Sequence, residues 1–204
     1  MENIIFDLDG TLWDTTEAVT TAWNKTIKKF NLAKKFERQE IVSLMGKTSS
    51  ELMTYLQNSR QIEDENFLKS CQNQEIEVLK QSGGRLYPKT LQTLKYLSVK
   101  KHNLYIISNC QENYIDIFLD FHNCRHLFCG YDCADSRFKN KEDCLSELIK
   151  IQKINKFFYV GDSENDHIAC KNLGGSFIFA NYGFGISKSF DFFIQNITDL
   201  KSLF

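Results

Sequence analysis

Short apolar runs that stop abruptly at polar residues recur along this chain, with helically spaced stretches between them. Glu2 to Phe6 runs into Asp7-Leu8-Asp9-Gly10-Thr11, Leu104-Tyr105-Ile106-Ile107 into Ser108-Asn109, and Phe157-Phe158-Tyr159-Val160 into Gly161-Asp162. A strand covered on both faces reads as a brief, continuous apolar run rather than an alternating one. Parallel strands need long crossovers, normally helices, so this alternation predicts an α/β fold with a parallel sheet covered by helices.

The remaining segments fill in that plan. Helical spacing marks Thr90 to Leu97, Tyr114 to Phe121, Glu142 to Ile151 and Asp166 to Leu173. Further strands are predicted around Leu127 to Cys129, Ser176 to Ala180 and Phe192 to Ile194, with a last turn of helix at the end. Asp14 to about Ser82 is different. It is rich in Lys, Glu, Gln and Leu at helical spacing, as in Trp23, Ile27 and Phe30 and then Leu52, Tyr55 and Leu56, with no strand pattern. Trp23 and Phe30 read as the core of that helical unit. Gly83-Gly84 breaks it. The expected organisation is a Rossmann-like core of residues 1–13 and 84–204, interrupted after its first strand by an all-helical unit of residues 14–83.

Composition narrows the function classes. A chain of 204 residues buries enough surface to fold without staples. Twenty-five Lys and Arg against 26 Asp and Glu argue against a generally basic nucleic-acid binder. No apolar run approaches the length of a membrane span, and the N-terminus does not read as a secretory signal. Seven cysteines, an odd number, fit reduced thiols. The cluster His122, Cys124, His126, Cys129 and Cys133 lacks the tight CxxC pair of zinc knuckles and reads as ordinary side chains around a strand. A soluble cytoplasmic protein is expected, monomeric or weakly dimeric, with no nucleic-acid or membrane partner.

In doubly wound sheets, ligands bind outside the carboxyl ends of the strands. Asp7 with Asp9, Ser108 with Asn109, and Asp162 with Asp166 all fall there. Four carboxylates converging at one edge repel unless a cation sits among them, and hard oxygen donors of this kind suit Mg²⁺.

Phe6-Asp7-Leu8-Asp9-Gly10-Thr11-Leu12 resembles the first motif of the haloacid-dehalogenase superfamily of phosphohydrolases. Ile107-Ser108-Asn109 is similar to the second motif and Gly161-Asp162-Ser163-Glu164-Asn165-Asp166 to the acidic fourth. The helical unit resembles the cap of the subfamily that includes phosphoglycolate phosphatases and β-phosphoglucomutases. The resemblance implies that Asp7 is the nucleophile forming an aspartyl phosphate. Asp9 would be the acid and base at the leaving oxygen, and its backbone carbonyl a Mg²⁺ ligand. Asp162 would bind the metal directly and Asp166 through water. Ser108 would grip the phosphoryl oxygens, with Gly10, Thr11 and Asn109 around them.

The family also uses a lysine at the phosphate. Counting back from Gly161 favours Lys141, with Lys139 the alternative, because the proline that commonly follows this lysine is replaced here by Glu142. Gly46-Lys47-Thr48-Ser49 matches the specificity loop in position, making Lys47 a candidate for a substrate anion. Asp9 implies phosphate-ester chemistry, since dehalogenating members lack it and ion-pumping members carry Thr. The implied function is Mg²⁺-dependent hydrolysis of a small phosphorylated metabolite, phosphoglycolate phosphatase-like. A phosphomutase remains open, although Val19 stands where mutases carry a His, and so does a non-catalytic binding protein on the same fold.

Overall fold

The computed structural model describes residues 1–134 and 138–204. Six parallel strands form the central sheet: β1 (Asn3–Phe6), β4 (Asn103–Ser108), β5 (Gly130–Cys133), β6 (Phe158–Gly161), β7 (Ser176–Ala180) and β8 (Phe192–Ile194). Their spatial order is β5-β4-β1-β6-β7-β8, so β1 lies between β4 and β6. The register pairs Phe6 with Ile106 on one side and with Val160 on the other. The polar residues that follow these three strands therefore emerge at one sheet edge.

Each central strand buries both faces, with its residues alternating between two core clusters. Ile4 and Phe6 join Leu94, Leu97, Phe118 and Leu119 of α5 (Thr90–Val99) and α6 (Tyr114–Phe121). Ile5 joins Leu145 and Cys170 of α7 (Lys141–Ile151) and α8 (Glu164–Asn172) on the opposite face. The unbroken apolar runs of the sequence follow from this double cover.

Four helices lie between β1 and α5: α1 (Thr16–Lys29), α2 (Arg38–Leu44), α3 (Ser49–Arg60) and α4 (Glu65–Ser82). They enclose a third core cluster around Trp23, Phe36, Leu56 and Phe67. Local chemistry sets their ends. Thr48 and Glu51 form a reciprocal capping box at the start of α3, and the Asp64 carboxylate accepts from the Asn66 N–H at the start of α4. Helix α4 stops at Gly83, whose φ of 64° suits only a residue without Cβ, and a side chain there would strike the Phe121 ring.

Three sequence expectations shift. The run Leu127 to Cys129 is not a strand: Arg125–Leu127 is a turn of 3-10 helix that buries Leu127 in the core, and β5 begins at Gly130. As an edge strand, β5 pairs among the described residues only with β4, so it tolerates the polar, half-buried composition that concealed it. Helix α7 starts one residue early, at Lys141, and α8 two residues early, at Glu164. At the base of the helical unit, β2 (Trp13–Asp14) and β3 (Arg85–Leu86) form an antiparallel pair too short to announce itself in sequence. Among the described residues, no helix is long and apolar enough to cross a membrane.

Phe118 is fully buried and meets Trp13 edge-on at 5.1 Å between ring centroids. Phe118→Ala should lower unfolding free energy by about 3–5 kcal/mol, as deletion of a buried aromatic does. Urea titration of the two proteins checks this, and a loss below about 1 kcal/mol would contradict the packing described.

Candidate active site

Asp7 follows β1 directly, and its backbone N–H donates to the Val160 carbonyl at 2.8 Å, locking the segment beside β6. Asp162 follows β6, and Asp166 lies in the first turn of α8. Carboxylate oxygens of these three buried aspartates all lie within 4.8 Å of one another. Lys141, the first residue of α7, places its Nζ 2.7 Å from Asp7 Oδ1 and 2.6 Å from Asp166 Oδ1. Lys139, the alternative, is exposed.

Each acid has a distinct setting. Asp166 Oδ2 accepts from the Ser163 N–H and hydroxyl at 3.0 and 2.6 Å, so one residue caps α8 and contributes to the cluster. Asp162 Oδ2 accepts from the Phe184 and Gly185 N–H groups at 2.6 and 3.0 Å. Gly10 has φ 84°, and any Cβ there would run into the Asp162 carboxylate, so this close approach requires glycine.

Asp9 stands apart. Its Oδ1 accepts from Thr15 Oγ1 at 2.6 Å and Tyr114 OH at 3.2 Å, and those two hydroxyls lie 3.0 Å apart. Its carboxylate is not part of the three-aspartate cluster. The two aspartates of the DxD segment therefore have different surroundings, one beside the lysine and one beside hydroxyls.

Burial decides the electrostatics. It pushes the Asp7 carboxyl up to about 6, with the Lys141 ammonium working against it. It pushes Asp9 up to about 7 despite the Thr15 hydrogen bond, and Asp162 up to about 8 with help from the neighbouring Asp7 and Asp166 charges. Burial alone would lower Lys141, but the charges of Asp166 and Asp7 outweigh it and keep the ammonium charged. Three hard, buried carboxylates at this spacing fit a divalent cation that prefers oxygen ligands.

Three of the remaining candidates, Ser108, Asn109 and Lys47, line one cavity with Asp9. Ser108 is buried at the end of β4, and the cavity, of about 60 Å³, lies between the sheet edge and the helical unit. The Asn109 side-chain NH₂ donates to the Gly46 carbonyl at 2.8 Å, tying the sheet edge to the loop of the helical unit, while its Oδ1 is buried without a partner. Thr11 Oγ1 is also buried and unpartnered.

Sequence reasoning missed four participants: Thr15 and Tyr114 on Asp9, and Glu75 and Gln111 in the cavity wall. Trp23 is indeed core, edge-on to Phe36, but it also lines the cavity and donates its indole N–H to Glu75. Only tertiary contact reveals Tyr114, which lies 105 residues from Asp9, and the pairing of Gln111 with Glu75 across 36 residues.

A sequence model of the haloacid dehalogenase-like hydrolases matches residues 4–180. The chain belongs to the haloacid dehalogenase-like hydrolases. A phosphoglycolate phosphatase of Aquifex aeolicus is 28% identical over 211 residues, spanning 100% of this chain and 96% of its own. The crystal structure of a predicted phosphoglycolate phosphatase from Haemophilus somnus superposes with a TM-score of 0.85 at 20% identity, covering 100% of this chain and 97% of that one. CbbY of Rhodobacter sphaeroides, crystallised with xylulose-(1,5)bisphosphate, superposes with a TM-score of 0.82 at 16% identity, covering 98% of this chain and 96% of its own. These likenesses establish the haloacid dehalogenase-like fold over the whole chain.

The raised carboxyls give a sign for pH dependence. Asp7, Asp9 and Asp162 hold protons in the fold that the unfolded chain releases near pH 4, so their contribution to stability is full below that pH and is lost as pH rises through about 6, 7 and 8. In chelator, the melting temperature should fall from about pH 5.5 to about pH 8.5, and excess divalent cation should flatten that slope by favouring the charged carboxylates. Thermal melts at both pH values check this, and parallel slopes with and without the cation would contradict it.

Proposed function

We propose that this hydrolase is a Mg²⁺-dependent phosphatase that cleaves a small phosphomonoester through an aspartyl phosphate on Asp7, in the manner expected of a phosphoglycolate phosphatase-like enzyme. The observation that carries the reading is the contact of Lys141 with Asp7 and Asp166 beside a separately held Asp9. On this reading Asp7, Asp162 and Asp166 hold Mg²⁺, which when bound supplies positive charge to the phosphoryl oxygens.

The chain's own residues account for the rest. Lys141 keeps Asp7 charged against its burial and fixes one of its oxygens, leaving the other to attack phosphorus. An Asp7–phosphorus bond forms as the bond from phosphorus to the leaving oxygen breaks. Asp9, with a carboxyl near 7, is in part protonated at neutral pH and gives its proton to that oxygen. Ionised Asp9 then takes a proton from a water attacking the phosphorus, which frees Asp7 and inorganic phosphate. Thr15 and Tyr114 hold Asp9 in place for both steps. Ser108, with the unpartnered Thr11 hydroxyl, faces the task of spreading charge over the phosphoryl oxygens. Residues 14–83 act as a cap that excludes water during transfer, with Lys47 at the cavity available to an anion.

The test is phosphate release from a panel of small esters, with Mg²⁺ and with excess chelator. Release should depend on the metal, Asp7→Asn should leave less than about a hundredth of the activity, and Asp9→Asn should cut turnover by about a hundredfold or more. Activity of Asp7→Asn above a few hundredths of wild type, with deamidation excluded, would overturn the covalent route. Turnover that requires a sugar bisphosphate primer and frees little phosphate would point instead to a mutase.

A further inference from the structure

The cavity between sheet edge and cap contains an acid that the chemistry above does not use. Glu75, in the middle of α4, is buried in the cavity wall. One carboxylate oxygen accepts from the Trp23 indole N–H and the other from Gln111 Nε2 at 2.9 Å. Burial raises its carboxyl, and no cation offsets that. A carboxylate oxygen accepts two hydrogen bonds, so these contacts leave acceptor capacity on each oxygen. An acid buried to this degree is costly unless its remaining capacity is met, and the cavity is where a ligand would meet it.

The wall around Glu75 has a definite polarity. Asp9 is also in it, and Lys47 is the single cation among the described lining residues. A substrate carboxylate would therefore meet two acids and one cation, whereas an N–H or O–H donor would find a ready acceptor. Size matters too. The cavity is small, about 60 Å³, which suits a short leaving group.

We propose that Glu75 recognises the alcohol half of the substrate, so that the enzyme takes a short phosphoester whose leaving group carries an amine or hydroxyl donor and discriminates against one that carries a carboxylate. This rests on the phosphatase reading above for its chemistry and departs from the phosphoglycolate phosphatase-like relatives at the alcohol half, where Glu75 and Asp9 line the cavity against one lysine. Glu75 is a specificity residue here and takes no part in the transfer itself.

Rates should be measured with phosphoethanolamine, glycerol phosphate, phosphoglycolate and ethyl phosphate in Mg²⁺, for wild type and Glu75→Gln. In wild type, kcat/KM for the better of the two donor-bearing esters should exceed that for phosphoglycolate by about tenfold or more, the effect of one charge-assisted hydrogen bond. Which of the two leads distinguishes amine from hydroxyl recognition. Glu75→Gln should shrink the ratio of that ester to ethyl phosphate by about tenfold. A wild-type preference for phosphoglycolate overturns the inference without needing any variant. So does a Glu75→Gln protein in which all four rates fall by the same factor, because a purely structural clamp on Trp23 and Gln111 would act that way. Release from none of the four while an aryl phosphate is hydrolysed overturns the inference alone. Silence with the aryl ester as well overturns the phosphatase reading beneath it.

Discussion

Everything at this site depends on one buried ammonium among buried acids. Lys141 meets Asp7 and Asp166, with Asp162 and Asp9 close by, so four buried carboxyls share a single buried cation among the described residues. Charges taken out of water survive only when paired and hydrogen-bonded, or when they neutralise. This cluster uses both routes. Asp166 is held by the lysine and by Ser163, Asp162 by two backbone N–H groups, and Asp7, Asp9 and Asp162 retain protons well above the ordinary carboxyl range. The excess of acid over base makes the site a natural seat for a hard cation.

The fold must hold this arrangement against its own electrostatics. Lys141 opens α7, at the helix end where backbone N–H groups already concentrate positive charge. A lysine there is unfavourable on its own, and the two carboxylates reverse that. Asp166 does the opposite at α8, where an acid in the first turn satisfies free N–H groups and complements the dipole. Two neighbouring helices thus present opposite charges at the same sheet edge. Their spacing is fixed by Leu145 and Cys170, packed into the same core cluster beneath. Removing either charge would leave its partner buried and unmatched, so the pair is maintained jointly.

The strand ends were legible because burial on both faces writes an apolar run that breaks off abruptly into polar residues. Asp7, Ser108 and Asp162 could be read in that way, and Asp166 follows Ser163 at capping-box spacing. Lys141 was harder, since two lysines flank Asn140 and only the fold decides which one turns inward: Asn140 caps α7, Lys141 is buried and Lys139 stays in solvent. Strand β5 escaped because an edge strand need not be apolar, while the apolar residues before it serve a different packing role. Tyr114 and Glu75 left no signal. A tyrosine opening an apolar helix looks like core, and a glutamate in a Lys- and Glu-rich helix looks like surface. Their roles arise from contacts across the sheet edge.

Those contacts tie the helical unit to the sheet edge. Asn109 and Gln111, two residues apart after β4, donate to Gly46 and Glu75 of the helical unit, while Ser108 beside them lines the cavity next to Asp9. Moving the helical unit away would break both hydrogen bonds and admit water to Asp9 and Glu75. Burial is the largest cause of the raised Asp9 carboxyl, so opening would return it toward its ordinary range and weaken it as an acid. On the proposed mechanism, the proton for the leaving oxygen would therefore be available mainly while the helical unit is seated. A leaving group that satisfies Glu75 would strengthen that seating by adding a contact to the wall that closes over it. On the proposed reading, selection of the alcohol half and readiness of the acid would share one physical cause, the exclusion of water from a small cavity lined by both Asp9 and Glu75.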